Sequence, residues 1–381
     1  MILRWRRSPG VAILALVSAM MLLVFGLALM GCGGDETTTT TATAETTATT
    51  ETPPETTAPT EAAVKVTKMA VTAPEEGTDY GWNQQGVESA QKAAAEIGAE
   101  IIVADGAGYE DITPILRELV EVDGSELTIA FASGYGTAGL QQAEELGVPH
   151  IIVGQFEAGL IPGLVQDIET RAQNGSYLAG IVAAKMSKTG TLGIVISADD
   201  ENWIKMAAGF VLGAQAVNPD VKLLLAQIGQ AGYADAAGGK RVTESVIAGG
   251  ADVVFGLGDG SSFGMIQAVE TATPPSGADK VWFIDVIGDK TSLDEKGVLL
   301  TSVVWDYAPA FKTAVAALEA GTFGQEIIWL DIDNGGIDLL KSDKIPADVW
   351  AEVDTARAGI MDGSITVPEV ASKAEVEALI K

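Results

Sequence analysis

The chain has one cysteine, Cys32, and one histidine, His150, among 381 residues. A disulfide within the chain is therefore excluded, and so are zinc sites built from several cysteine or histidine ligands. A serine–histidine or cysteine–histidine mechanism would have to run through His150. That residue lies in the run Val148-Pro-His-Ile-Ile-Val-Gly154 and reads as a structural or rim residue of a buried strand. Basic residues are scarce as well: 23 Lys and Arg against 52 Asp and Glu give a formal net charge of −29. A surface this acidic repels polyphosphates and anionic lipid heads. Nucleic acid and free nucleotides are set aside as partners, and neutral or cationic solutes stay open. Paired carboxylates such as Glu75 and Glu76 lie in a solvated loop without an acid–base partner. Nothing here asks for an enzyme, a cofactor or a bound metal.

What is present begins with an address. Arg4, Arg6 and Arg7 precede an unbroken apolar run from Val11 to Met30, which ends in Leu29-Met30-Gly31-Cys32-Gly33-Gly34. Residues 1–32 read as a signal segment whose end resembles a lipobox, with Leu three before the cysteine and Gly just before it. The resemblance implies cleavage at Cys32, a diacylglycerol on its sulfur, and a protein held at the outer face of the cytoplasmic membrane. The other reading of the same run is an uncleaved transmembrane helix, since about twenty apolar residues span a bilayer. Residues 33–63 are almost all Thr, Glu, Ala and Pro. Such a segment has too little apolar surface to offset the entropy of ordering and reads as a disordered linker that, as a flexible coil, reaches roughly 30 Å.

From Val64 onward the pattern changes. Short Val/Ile/Leu-rich runs alternate with stretches of helical period. The strands expected are Thr67–Thr72, Glu100–Ala104, Leu127–Ala132, His150–Val153, Leu192–Ser197, Lys222–Gln227, Asp252–Gly256, Val281–Asp285, Leu299–Val304 and Glu326–Ile332. Helices fall between them; Gln84–Ile97, for example, puts Val87, Ala90, Ala94 and Ile97 on one stripe. This alternation predicts an α/β fold with parallel sheets and right-handed crossovers. There are too many units for one core, so two doubly wound lobes are expected, with a cleft between them.

Ligands of open parallel sheets sit beyond the carboxyl ends of the strands. The loops there are rich in glycine and aromatics: Ala73-Pro-Glu-Glu-Gly-Thr-Asp-Tyr-Gly-Trp-Asn83, Ser133-Gly-Tyr-Gly-Thr137, Gly229-Gln-Ala-Gly-Tyr-Ala-Asp235 and Gly256-Leu-Gly-Asp-Gly-Ser-Ser262. The last lacks the Lys-Ser/Thr of a phosphate loop, and its aspartate repels phosphate. Trp82, Asn83, Tyr135, Tyr233, Asp259, Asp285 and Trp305 are the candidate ligand-binding residues. Each has a structural alternative: helix capping for Asn83, core packing for Trp82 and Trp305, a loop or turn role for the rest.

At these loops the sequence resembles the basic membrane protein family, the nucleoside- and purine-binding lipoproteins of ABC importers. The resemblance rests on Asp79-Tyr-Gly-Trp-Asn-Gln84, on Tyr177-Leu-Ala-Gly-Ile-Val-Ala-Ala-Lys-Met186, on Gly209-Phe-Val-Leu-Gly-Ala-Gln-Ala-Val-Asn-Pro219 and on Leu300-Thr-Ser-Val-Val-Trp-Asp306. It implies a fold of the type I periplasmic-binding-protein kind, two lobes joined by three crossovers. Residues 64–168 with about 303–331 would form one lobe, and 169–302 with about 332–381 the other. The crossovers are expected near Gln166–Ser176, Leu299–Val304 and Ile332–Gly336. It also implies a purine nucleoside or purine base as solute, and ABC permease subunits as partners. Trp82 and Tyr233 would stack on the base from opposite lobes, Asn83 would follow as the family pattern has it, and the loop with Gly258, Asp259 and Gly260 would close on the ligand. Asp285 would match a ligand-binding aspartate, although the surrounding run departs from the family's. Ala73 stands where nucleoside binders carry an aspartate, and Trp305 where some carry a lysine. A tethered sensor of the same fold, signalling to a membrane partner, stays open beside the importer reading.

Overall fold

The structure, a computed structural model, describes residues 3–4, 65–154 and 159–380. Cys32, the linker and nearly all of the signal segment lie outside the described residues. Among the described residues no helix is long and apolar enough to cross a membrane.

The chain runs through β1 (Leu3–Arg4), β2 (Lys68–Thr72), α1 (Trp82–Ile97), β3 (Glu100–Ala104), α2 (Thr113–Glu121), β4 (Leu127–Ala130), α3 (Gly136–Leu146), β5 (His150–Val153) and β6 (Val165–Thr170). It continues with α4 (Ala172–Met186), β7 (Thr191–Ile196), α5 (Glu201–Val217), β8 (Lys222–Gln227), α6 (Ala236–Ala248), β9 (Val253–Leu257), α7 (Ser262–Thr271), β10 (Trp282–Ile287) and β11 (Leu299–Trp305). It ends with α8 (Ala308–Glu319), β12 (Ile328–Leu330), β13 (Ile337–Leu339), α9 (Ala347–Met361) and α10 (Lys373–Leu379). Two sheets result, ordered β1-β3-β2-β4-β5-β6-β12 and β13-β11-β10-β9-β7-β8. Every pairing is parallel except that of β13 with β11. The expected two-lobed α/β architecture is therefore the observed one. The two-residue β1 only extends the outer edge of β3.

Helix ends follow local chemistry. α1 and α3 stop at Gly98 and Gly147, both left-handed at φ 76° and 65°, a conformation glycine adopts without a Cβ penalty. Pro114 and Pro309 sit in the first turns of α2 and α8, where a missing N–H costs nothing. The motifs Tyr177–Met186 and Gly209–Pro219 turn out to be two halves of one helix contact. A Cβ on Gly180 would lie 2.2 Å from the carbonyl of Phe210, one on Gly209 2.3 Å from that of Gln173, and one on Gly213 1.9 Å from that of Tyr177. These glycines let α4 and α5 pack backbone to backbone.

Two differences from expectation concern β6 and the crossovers. The segment Val165–Thr170 is a fully buried strand, although Gln166, Asp167, Glu169 and Thr170 make it polar. Gln166 is satisfied from outside the ladder: it accepts from Gly324 N–H and donates to the carbonyl of Glu326. The first crossing is then confined to Arg171, between β6 and α4. The second does not lie in Leu299–Val304, all of which belongs to the second sheet; the chain leaves that sheet after Trp305. The third occupies residues 331–336, between β12 and β13. Polar bonds bundle the three. Asn174 Nδ2 donates to Asp331 Oδ1 at 2.8 Å, Arg171 pairs with Asp331 at 3.4 Å, and Asp306 N–H donates to the carbonyl of Gly336. His150 is buried in β5, with Nδ1 2.8 Å from the carbonyl of Val148, and burial holds its pKa below the usual imidazole value. It is an interior strand residue.

Candidate functional site

The strand order fixes where to look. In the first sheet the order reverses between β2 and β4, and in the second between β7 and β9. Crevices open at such switch points, beyond the carboxyl ends of the strands. The loops concerned carry Asp79–Trp82, Phe131, Asp200 and Asp259. The two switch points meet: Trp82 N–H, at the start of α1, donates to Asp259 Oδ1 at 3.0 Å across 177 residues of sequence.

On the first-lobe side Asp79 organises the entry to α1. It accepts from the N–H groups of Gly81, Asn83 and Gln84 at 2.9–3.1 Å and from Asn83 Nδ2 at 2.8 Å. Asn83 Oδ1 accepts from Glu75 N–H. The buried Asn83 amide is thus tied into its own loop, inside the first turn of α1. Trp82 is half-buried. Its indole donates to the carbonyl of Phe131 at 3.2 Å and lies 4.5 Å from the Phe131 ring, with Trp305 and Tyr307 edge-on at 6.0 and 5.9 Å. Trp305 and Tyr307 are fully buried, yet Trp305 Nε1 and the Tyr307 hydroxyl have no hydrogen-bond partner among the described residues. Two buried donors without acceptors each carry a desolvation cost of about 1–3 kcal/mol.

On the second-lobe side Asp200 caps α5 through Asn202 and Trp203 N–H and accepts from the Tyr233 hydroxyl at 3.0 Å. Burial lifts the Asp200 carboxyl above its usual range, and the Tyr233 bond opposes this. Beside it, Asn202 Oδ1 and Trp203 Nε1 are buried without hydrogen-bond partners among the described residues. Asp259 is pushed up to about 7, first by burial and then by the neighbouring charge of Asp79. Tyr233 is half-buried beside Asp200.

Two of the expected residues are used elsewhere. Tyr135 is 1% exposed, packs with Ile112, Leu116 and Ala130, and donates its hydroxyl to the carbonyl of Gly108 at 2.6 Å. Asp285 is fully buried, accepts from Ser262 Oγ and Val286 N–H, and pairs with Lys290 at 3.3 Å. Burial raises its carboxyl while Lys290 pulls it back. Both side chains are thus bonded within one lobe in this structure, Asp285 through hydrogen bonds and its pairing with Lys290. Asp200, Asn202, Phe131 and Tyr307 were not singled out from sequence. Asp200 carried a usable signal, an acidic residue in the N-cap position after a buried strand; the aromatics carried none.

A cavity of about 360 Å³ opens where the lobes join, lined by Gln85, Ser89 and Lys92 of α1, Ile287 and Asp289 after β10, and Trp305. Small-molecule sites run from about 300 to 1,000 Å³. A larger groove of about 650 Å³, bordered by Thr191 and Gly250, lies at the amino ends of β7 and β9, the wrong end of a parallel sheet for a ligand. Among the described residues no three His, Cys, Asp or Glu side chains cluster as a metal site.

Residues 66–371 match the Bmp family, described as PnrA-like ABC transporter substrate-binding proteins. The chain belongs to the Bmp family. The resemblance drawn from the four motifs is thereby shown to be membership. Binding solute for ABC transporters is not an enzymatic role, which agrees with the reading of the carboxylates above. Among relatives, the ABC transporter nucleoside-binding protein BmpA of Lactococcus lactis is 32% identical over 52% of this chain and 59% of its own length. Basic membrane protein A2 of Borrelia garinii is 24% identical over 80% of this chain and 88% of its own. The match thus spans about three fifths of the first relative and most of the second. Among solved structures, an ABC transporter solute-binding protein from Conexibacter woesei superposes with a TM-score of 0.67 at 23% identity, covering 80% of this chain and 99% of that one; this likeness concerns the fold.

Proposed function

We propose that this Bmp chain is the extracytoplasmic, lipid-anchored solute-binding component of an ABC importer, and that it takes a purine nucleoside or purine base between its lobes. The observation that carries the reading is the apposition of the two switch points, with Trp82 on one wall and Tyr233 on the other. Partnerless buried groups complete it: Trp305 Nε1 and the Tyr307 hydroxyl are donors, and Asn202 Oδ1 is an acceptor. Such a set suits a flat neutral solute with both acceptors and donors on its edges. The nucleoside-binding relative supports the solute class. The carboxylates of Asp79, Asp200 and Asp259 disfavour a phosphate.

Calorimetry with adenosine, guanosine, inosine, adenine and AMP tests it. One of the unphosphorylated purines should bind with a Kd in or below the micromolar range, and AMP at least about tenfold more weakly than adenosine, a gap of 1.4 kcal/mol. A sugar, amino acid or peptide binding where no purine does would refute the solute class. For the anchor, Cys32→Ser in the full chain should move the protein from the membrane to the soluble fraction or leave it unprocessed at higher mass. Unchanged membrane fractionation at an unchanged mass would favour an uncleaved helix over acylation.

A further inference from the structure

The loop of residues 79–82 does more than start α1: it is docked into the second lobe at three points. Asp259 Oδ1 accepts Trp82 N–H at 3.0 Å. Gly81 lies so close to that carboxylate that a Cβ would stand 2.5 Å from Oδ1 and 3.1 Å from the Asp259 Cα. The carbonyl of Tyr80 reaches the turn after β10, where a Cβ on Gly288 would be 2.2 Å away, and the Tyr80 ring meets Phe263 edge-on at 6.1 Å. Backbone strain gathers at the same contact. Among the described residues the non-glycine positions with positive φ are Tyr80, at 53°, and Ile287, at 67°. They belong to opposite lobes and flank the contact on either side. Left-handed backbone at a non-glycine residue costs of order 1–3 kcal/mol and persists only where the surrounding packing over-determines it, so strain is stored at this contact.

Charge supplies the second half of the argument. Two carboxylates, Asp79 from the first lobe and Asp259 from the second, share the N-terminus of α1. The titratable groups that face Asp259 are Asp79 before α1, Tyr109 after β3, Asp200 at the cap of α5, Tyr233 after β8 and Lys290 after β10. The one cation in that set, Lys290, is already paired with Asp285.

We propose that Asp259 is an interlobe latch that takes up a proton as the lobes close, so that this chain holds its cleft shut more firmly in mild acid than in mild alkali. The inference rests on the hinged solute-binding reading above. A protonated Asp259 keeps a carbonyl oxygen to accept Trp82 N–H while shedding its repulsion from Asp79. The sign follows from linkage. In an open cleft the water-exposed carboxyl returns to the ordinary range, about 3.9; in the closed contact burial and Asp79 push it up to about 7. Between those values the closed state holds a proton that the open state does not. Closure is therefore favoured as pH falls below about 7 and loses this contribution as pH rises through it. From pH 8 to pH 6 the closed-to-open ratio should rise about tenfold.

Hydrogen exchange of the full chain, without any solute, tests this at the Trp82 amide, with each rate normalised to that of an unstructured peptide at the same pH. Protection should be about tenfold greater at pH 6 than at pH 8. Asp259→Asn keeps an acceptor but cannot titrate, so it should remain protected equally at both pH values. Asp111→Asn, at an exposed carboxylate before α2 that is not among the groups facing Asp259, should retain the pH difference. Equal protection of the wild-type chain at the two pH values overturns the latch, and so does a tenfold difference that survives in Asp259→Asn. Because no purine is present, failure of the solute assignment leaves this result readable.

Discussion

Trp82→Ala should weaken the best purine ligand by at least about tenfold, since stacking of a base on an aromatic is worth about 1–3 kcal/mol by alanine substitution. The structure adds a control that sequence alone could not. The indole rests on Phe131 and donates to its carbonyl, so removing it also opens a gap beside Trp305 and Tyr307. A bare loss of binding could therefore reflect a slackened first-lobe wall. Trp82→Phe separates the two effects: it keeps a ring against Phe131 and loses the indole donor and part of the ring area. Affinity within about tenfold of wild type is expected for Phe, with the larger loss confined to Ala. Both variants should be compared by thermal midpoint as well as by calorimetry. If Trp82→Ala binds a purine as tightly as wild type, the base does not stack on this residue, and the wall formed by Trp305 and Tyr307 becomes the place to look.

A single methyl group at Gly213 should be a damaging small change in the second lobe. Its Cβ would fall 1.9 Å from the carbonyl of Tyr177 and 2.7 Å from that carbonyl carbon. Both are main-chain atoms within helix α4 and have no rotamer to escape into. Alanine would gain up to about 1 kcal/mol of helix propensity over glycine. The forced separation of α4 from α5 should exceed that gain and leave a net loss of about 1–3 kcal/mol, the usual cost of overpacking. Gly134→Ala is the matched control, because nothing lies within 4 Å of a Cβ there. Chemical denaturation should show a lowered midpoint for Gly213→Ala and little change for Gly134→Ala. Equal midpoints would mean that the two helices are free to slide apart and that the glycine motif is not a packing device.

These two experiments bracket what was legible. Strands β3, β5 and β8 match the expected bounds, because each carries an apolar stretch (Ile101–Ala104, Ile151–Val153 and Leu223–Ala226) next to a polar first residue, even in β8, which is only partly covered at the sheet edge. β6 escaped because its polar residues find partners in a distant segment, Gly324 and Glu326, which composition cannot reveal. The crossing after Trp305 was placed too early for a related reason. Apolar content marks β11 as a strand, but only its pairing with β10 and β13 says which sheet it joins.

The sequence by itself determined the α/β alternation, the acidic body and the loops that had to be inspected, since each depends on residue type and local period. It also brought Trp82, Tyr233 and Asp259 forward. Only the tertiary structure decided what those side chains are free to do. Tyr135 and Asp285 have the same chemistry as a ligand-binding tyrosine and aspartate, yet Gly108 takes the Tyr135 hydroxyl, and Ser262 and Val286 take one Asp285 oxygen while Lys290 pairs with the other. Trp305 and Tyr307, one a guess and the other overlooked, keep theirs without partners. The difference lies in hydrogen-bond valence: a buried polar group has few bonds to give, and which of them remain open is settled by neighbours far away in the chain.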